Sequence, residues 1–274
     1  MILKPSSESS AGFYDKRYSD EWRQLQNRVF GEAYDDYFGQ SSLTTTADYE
    51  RIFGWLTVGP GSRVLDIACG GGAPSLRLAR LAGCSVTGID NNANAITLAK
   101  RSASENDLGR VATFILHDAN AASPFASESF DAVVCVDALP HIGQHTATLR
   151  EWSRALQPGG RLAFTDMVLT GPISSSEFAR RSASGPIVLT PAGFVEQQLL
   201  AAGLELKLCT DITPALQVSA QRHVQARSRH ADDLRKLEGE AMFETLNRYR
   251  ETIELLARER RLSHFAFVAI KKTP

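Results

Sequence analysis

The sequence has only four cysteines in 274 residues, Cys69, Cys84, Cys135 and Cys209, and no two stand in a C-x-x-C pair. That spacing speaks against the common zinc frameworks and against a redox dithiol, and no metal site is expected. Each falls in an apolar stretch, where free thiols usually bury, and a reducing cytoplasm is the expected compartment. An excess of one charge is also lacking: 30 Lys and Arg face 31 Asp and Glu, a net charge of −1. Broad nucleic-acid binding runs on released counterions and needs a positive surplus, so nucleic acid is not an expected partner. No uncharged apolar run approaches the roughly 18 residues of a membrane span, and no membrane partner is expected. Met1 to Ser10 is polar, with no apolar core of a signal peptide. No internal repeat is visible. A hydrophobic fraction of 43% is enough for a sizeable core.

From Ser62 onward, short apolar runs alternate with helical patterns. Arg63 to Ala68, Ser85 to Ile89, Ala112 to Leu116, Phe130 to Val136 and Arg161 to Met167 read as strands. Helices are expected at Ala73 to Leu81, Ala93 to Glu105 and Thr146 to Leu156. Continuous apolar strands between helices indicate a parallel sheet covered on both faces, hence a doubly wound α/β fold. Gly171 to Leu189 reads as a connector. Thr190 reads as an N-cap, with Pro191 opening a helix that stops at Gly203. Leu204 to Thr210 and Ser263 to Ile270 complete seven strands. About 50 helical residues precede the last strand, with an apolar stripe at Met242, Phe243, Leu246, Tyr249, Ile253 and Leu256. The stripe either packs on the core or forms the inner face of a lid. The expected divisions are a helical N-terminal cap over 1–50, a ligand-binding core over 51–213, a helical lid insertion over 214–262 and a final core strand over 263–274.

The strongest motif is Asp66-Ile67-Ala68-Cys69-Gly70-Gly71-Gly72, where a strand ends in an acidic residue and a glycine-rich turn opens a helix. Glycine allows positive φ and close approach of a ligand to backbone. The turn is not the G-x-G-x-x-G of dinucleotide binders, because Ala68 occupies the first glycine position. Asp66 inside the motif would repel a pyrophosphate and suit a cation. Asp90, about 20 positions on at the end of the next strand, suits the two hydroxyls of a ribose.

Together with His117-Asp118-Ala119, Phe130 to Asp137 and Leu156 to Leu162, these residues resemble, in order and spacing, the motifs of class I S-adenosylmethionine (SAM) dependent methyltransferases. Phe38-Gly39-Gln40-Ser41-Ser42 with Thr44-Thr45 resembles the N-terminal segment of a bacterial small-molecule branch, related to sarcosine, phosphoethanolamine and natural-product sugar methyltransferases. The resemblance implies a Rossmann-like doubly wound sheet of seven strands, six parallel and the last antiparallel, with a helical cap or lid. It implies SAM as cofactor, held by Asp66, Ala68, Gly70 and Gly72, by Asp90 and Asn91, by Asp118 and Ala119, and by Asp137, with Gln40 from the cap. It implies transfer of methyl to O or N of a small-molecule acceptor. Methylation at carbon, an RNA base methyltransferase, and a non-catalytic SAM-binding module are the alternatives. The Asp-Ala-Leu-Pro-His at 137–141 lacks the Pro-Pro-aromatic sequence of amino-group methylases of nucleic acid.

His141, just past the fourth strand, is the candidate general base, because an imidazole titrates near neutrality; it could instead only orient the loop. His145 is a weaker candidate; Tyr14, Tyr34 and Tyr37 are possible partners from the cap or simply packing, and Asp166, at the end of the fifth strand, either meets the acceptor or is a solvated turn carboxylate. Arg222, His223, Arg227, Arg229, His230, Arg235 and Lys236 form a basic stretch in the insertion. It reads as a solvated face with interleaved acids, or as a grip for an anionic acceptor. Monomer and dimer both remain open.

Overall fold

In the strand Arg63–Ile67 (β1), every residue after the exposed Arg63 is buried. Such a run needs cover on both faces, and the computed structural model, which describes residues 18–183 and 185–273, supplies it. Successive strand residues point to opposite faces. Leu65, Val133 and Phe164 meet Leu149, Trp152 and Leu199 on one side. Val64, Ala132, Val134 and Ala163 meet Tyr49, Ile52, Phe53 and Leu78 on the other. The helices that provide these side chains are α2 (Thr46–Leu56), α3 (Ala73–Ala82), α5 (His145–Ala155) and α7 (Phe194–Ala201). Between them, α4 (Ala93–Glu105) is capped by the Asn92 side chain, which accepts the Ala95 N–H.

The remaining strands are β2 (Ser85–Asp90), β3 (Ala112–Leu116), β4 (Phe130–Cys135), β5 (Leu156–Leu169), β6 (Thr190–Pro191), β7 (Leu204–Asp211) and β8 (Leu262–Lys271), in the order β3-β2-β1-β4-β5-β8-β7, with β6 pairing β5. β8 runs antiparallel to both β5 and β7, and every other pairing is parallel. The six parallel strands and antiparallel last strand expected from the sequence are present, plus the two-residue β6. The chain winds outward from β1 to β3 and then restarts with β4 on β1's other side. That reversal opens a crevice at the carboxyl ends of β1 and β4, the place where open α/β sheets bind ligands.

Over this crevice lies a helical roof. It consists of α1 (Asp20–Ala33), α8 (Thr213–Arg229), α9 (Ala231–Glu238) and α10 (Glu240–Arg258). Leu25 and Val29 of α1 pack on Ala226, Leu234 and Phe243. Fully burying such side chains stabilises by about 1.5–3 kcal/mol each. The α10 stripe divides its work. Ile253 and Leu256 pack on Leu216, Met167 and Leu262, whereas Leu246 and Tyr249 also reach the crevice. Among the described residues no helix is long and apolar enough to cross a membrane.

Four local expectations need correction. The connector at 171–189 contains a helix, α6 (Ser175–Arg181), closed by a reciprocal capping box between Ser174 and Glu177. Thr190 and Pro191 form β6, and α7 starts only at Phe194 after Gly193, whose positive φ of 80° makes the turn. β5 extends to Leu169, so Asp166 lies inside the strand. Cys209 is exposed, because β7 is the sheet's edge strand and one of its faces is open; the other three thiols are buried.

Candidate active site

The crevice is a cleft of about 830 Å³, within the usual size of small-molecule and cofactor sites. Its floor is the glycine turn and the ends of β1, β2, β4 and β5; its roof is α1, α8 and α10.

Backbone conformation explains the glycine turn. Ala68, Gly70 and Gly72 have φ of 56°, 54° and 82°, the region where glycine carries no steric penalty. The two glycines do different work. A Cβ on Gly72 would come within 2.8 Å of Ala99 Cβ and 2.9 Å of the Phe114 ring, so this glycine lets the turn sit against α4 and β3. A Cβ on Gly70 would meet only the Tyr18 hydroxyl, at 3.5 Å, because this glycine faces the cleft. Asp90 ties the turn to β2. Its Oδ2 accepts the Gly70 N–H and its Oδ1 accepts the Asn92 N–H, both at 2.9 Å. Burial raises its pKa, and those two bonds oppose the rise. Each oxygen keeps a second lone pair for a ligand hydroxyl. Asn91, Asp118 and Ala119 line the same floor. Asp118 is exposed to the cleft, and its Oδ1 holds the loop by accepting the Asn120 N–H and side-chain amide, both at 2.9 Å.

Of three further residues expected at the cofactor, Asp137 lines the cleft, and Asp66 and Gln40 do not. Asp66 lies beneath the turn, where it accepts the Ser75 hydroxyl and borders a separate void of about 20 Å³. Burial pushes its carboxyl up to about 7, with Ser75 opposing and Asp90 adding to the rise. It is buried and does not line the main cleft. Asp137 borders the cleft, but its carboxylate is already used. Oδ2 accepts the N–H groups of Leu43 and Thr44 and the Thr44 hydroxyl. Oδ1 accepts the Thr165 hydroxyl at 2.8 Å and lies 2.8 Å from His264 Nε2. Burial disfavours the charge, yet His264, Thr165 and Leu43 more than offset it, and the carboxyl is held far below its ordinary value. Gln40 is fully buried behind the wall. Its Oε1 accepts the Phe38 N–H and its amide donates to Thr46 Oγ1.

His141 opens onto the cleft from the short 3₁₀ turn Leu139–His141. Its Nδ1 is 3.3 Å from the Pro186 carbonyl oxygen. A carbonyl only accepts, so Nδ1 carries the proton and Nε2 keeps a free lone pair. The residue is exposed. Crowding by the walls, followed by the charge of Arg181, holds the imidazole down to about 4, with Pro186 and Asp137 opposing. It is therefore neutral and able to accept a proton at pH 7. Nearby, Asp166 is almost wholly buried, and its oxygens accept the Thr190 hydroxyl and the Met167 N–H, both at 2.8 Å. Burial pushes it up to about 7. His145 is buried at the head of α5, and the Tyr34 hydroxyl donates to the Ser42 carbonyl at 2.7 Å; neither lines the cleft. Tyr14 lies outside the described residues.

The basic stretch follows neither expectation as a whole. Arg229 and His230 pair with Glu32 of α1, and Arg222 with Asp35. His223 and Arg227 instead turn inward to the cleft, Arg227 gripping the buried Glu238 through two bonds of 2.9 and 2.7 Å. Sequence reasoning missed Arg181 and Arg250 as cleft residues, whereas Tyr249 lines the cleft as the lid reading of the α10 stripe expects. For Arg181 a signal exists: Ser174 with Glu177 three positions on is a capping-box pattern, and it places Arg181 on a helix rather than in a connector.

Comparison with known proteins yields a match to a family described as methyltransferase domain over residues 65–164. The chain is 29% identical to 27-O-demethylrifamycin SV methyltransferase of Amycolatopsis mediterranei over 244 residues, 84% of this chain and 88% of that protein. It is 32% identical to O-methyltransferase rstn1 of Aspergillus nomiae over 184 residues, 66% of this chain and 81% of that protein. The structure of Haemonchus contortus phosphoethanolamine N-methyltransferase 2 in complex with S-adenosyl-L-methionine matches with a TM-score of 0.80 at 20% identity, covering 97% of this chain and 60% of that one.

Proposed function

Because this chain belongs to the family of SAM-dependent small-molecule methyltransferases, we propose that it methylates a hydroxyl oxygen of a small natural-product metabolite, with His141 as general base. The observation that carries this reading is the 3.3 Å contact of His141 Nδ1 with the Pro186 carbonyl, which leaves Nε2 as the acceptor of a ring that lines the cleft. The two relatives whose names specify O-methylation support an oxygen acceptor.

The residues present fit the cofactor. Gly70 leaves room for close approach of a ligand to the backbone, Asp90 offers two carboxylate oxygens at the cleft floor, and Asn91, Asp118 and Ala119 continue that floor. When bound there, SAM supplies a methyl group activated by a positively charged sulfur. The protein's own tasks are alignment, exclusion of water and removal of the acceptor's proton. The roof helices exclude water. His141 Nε2 takes the hydroxyl proton, and Pro186 accepts the Nδ1–H that keeps the ring in the right tautomer. General bases of this kind contribute about 10²–10⁴-fold.

Asp66 and Asp137 then act at one remove, Asp66 beneath the turn and Asp137 by holding the 43–44 backbone at the cleft's edge. We assign the protein to the cytoplasm, a reading supported by its four free thiols, and expect no nucleic-acid partner. The test is a screen of polyhydroxylated natural products with methyl-labelled SAM, the product read by NMR. A labelled methoxy group is expected; label on nitrogen or carbon overturns the oxygen assignment.

A further inference from the structure

Arg181 ends α6 and lines the cleft, yet it is only 3% exposed. Its hydrogen bonding is sparse. One terminal nitrogen donates to the Tyr249 hydroxyl at 3.3 Å, and the guanidinium lies 5.2 Å from the centre of that ring. Its buried Nε has no hydrogen-bond partner, and it takes part in no ion pair among the described residues. A guanidinium has five N–H donors and cannot shed its charge. Burying it without an anion is costly. The carboxyl end of the short α6 supplies only a fraction of a negative charge.

Arg227, on the same cleft, shows the alternative within one molecule. It is as deeply buried, but Glu238 pairs its charge and, with Asn247, takes a hydrogen bond from each of its three nitrogens. Asp166, the cleft carboxyl whose pKa Arg181 helps to lower, accepts from Thr190 and Met167 and makes no hydrogen bond to Arg181. Arg181 therefore brings a buried charge and unused donors to the cleft, and among the described residues it meets Asp166 only through space, with no hydrogen bond or ion pair between them.

We propose that the methyl acceptor carries an anionic oxygen group, a carboxylate or a phosphate ester, and that Arg181 binds it at the roof end of the cleft. The assignment rests on the methyltransferase reading and narrows its substrate class. The fork of Arg181 takes two anionic oxygens, and Tyr249 orients the fork. His141 joins the same corner through Pro186, five positions after Arg181, so an acceptor held by Arg181 brings a neighbouring hydroxyl toward Nε2.

The test uses the full chain with S-adenosylhomocysteine bound, and inorganic phosphate and acetate as separate probes. The readout is the NMR signal of the Arg181 Nε–H, together with calorimetric affinity for each anion. A shift of that signal is expected. Arg181→Gln should weaken anion binding about tenfold or more, the size of one charge-assisted hydrogen bond. Arg181→Lys, which keeps the charge but not the fork, should fall between. A response to phosphate alone identifies a phosphate ester, and a response to acetate alone a carboxylate. Without anion, Arg181→Gln should melt no lower than the native chain, since it removes a buried charge that has no ion-pair partner among the described residues; a purely structural arginine would lower the melting point. An unshifted Nε–H with both anions, or equal anion affinity in native and Arg181→Gln chains, overturns the proposal. Failure of S-adenosylhomocysteine to bind the native chain would instead overturn the methyltransferase reading, so the two failures are distinguishable.

Discussion

The carboxylate of Asp137 accepts the backbone N–H of Leu43 at 2.8 Å across 94 positions of sequence. With the Thr44 N–H, Thr165 and His264 around the same two oxygens, it fastens the segment that follows α1 to the end of β4. Removing one member of such a buried charged network costs about 3–5 kcal/mol. Asp137→Ala should lower stability by that order in denaturant titration and speed hydrogen exchange at Leu43 and Thr44. The pH dependence follows from the depressed carboxyl. Its contribution is fully present above the ordinary carboxylate pKa of about 4 and is lost as pH falls through the lower folded value. The native chain should therefore lose stability in acid more steeply than the variant.

The two glycines of the turn should separate by phenotype. Gly72→Ala drives a Cβ into Ala99 and Phe114 at φ 82°, and its effect should appear as a lower melting point. Gly70→Val has room for its Cβ on the protein side but fills the cleft, and its effect should appear as lost S-adenosylhomocysteine affinity. Both carry the left-handed backbone penalty of about 1–2 kcal/mol, so the contrast lies in the ratio of the two readouts.

His141→Gln should reduce kcat by about 10²–10⁴-fold with the cofactor's affinity unchanged. In the native enzyme the base is held down to about 4. Its acid limb in kcat/KM should accordingly lie near that pH rather than near 6.5, and the limb should vanish in the variant. Asp166, pushed up to about 7, should add a separate change as it ionises. Asp166→Asn should remove only that change.

Hydrogen exchange in α1 and α8–α10 should slow when S-adenosylhomocysteine is added, more than in α3 or α4. Side chains from α1, α8 and α10 line the cleft, while surface ion pairs such as Glu32 with Arg229 bind the roof helices to one another only weakly. Exchange already as slow as in the central strands without ligand would make the roof rigid structure rather than a lid.

The parallel core was legible because its strands bury both faces and its helices carry clear caps, as Asn92 does for α4. Gly70 and Asp90 were legible because backbone approach and ribose recognition depend on local sequence. Asp66 and Asp137 were harder to read. An acidic residue in a motif can face a ligand or brace the loop from behind, and only tertiary placement separates the two. Arg181 was hidden by the glycines and serines around it, although Ser174 and Glu177 marked its helix. The inward turn of Arg227 depends on Glu238, eleven positions on and in the next helix.

The most direct measurement is calorimetric titration of the native chain and of Asp90→Ala with S-adenosylhomocysteine and with NAD. The native chain should bind S-adenosylhomocysteine and not NAD, and Asp90→Ala should lose about tenfold or more of that affinity, one charge-assisted bond or more. Binding of NAD by the native chain, or unchanged S-adenosylhomocysteine affinity in folded Asp90→Ala, would contradict the placement of the cofactor on the glycine turn and β2.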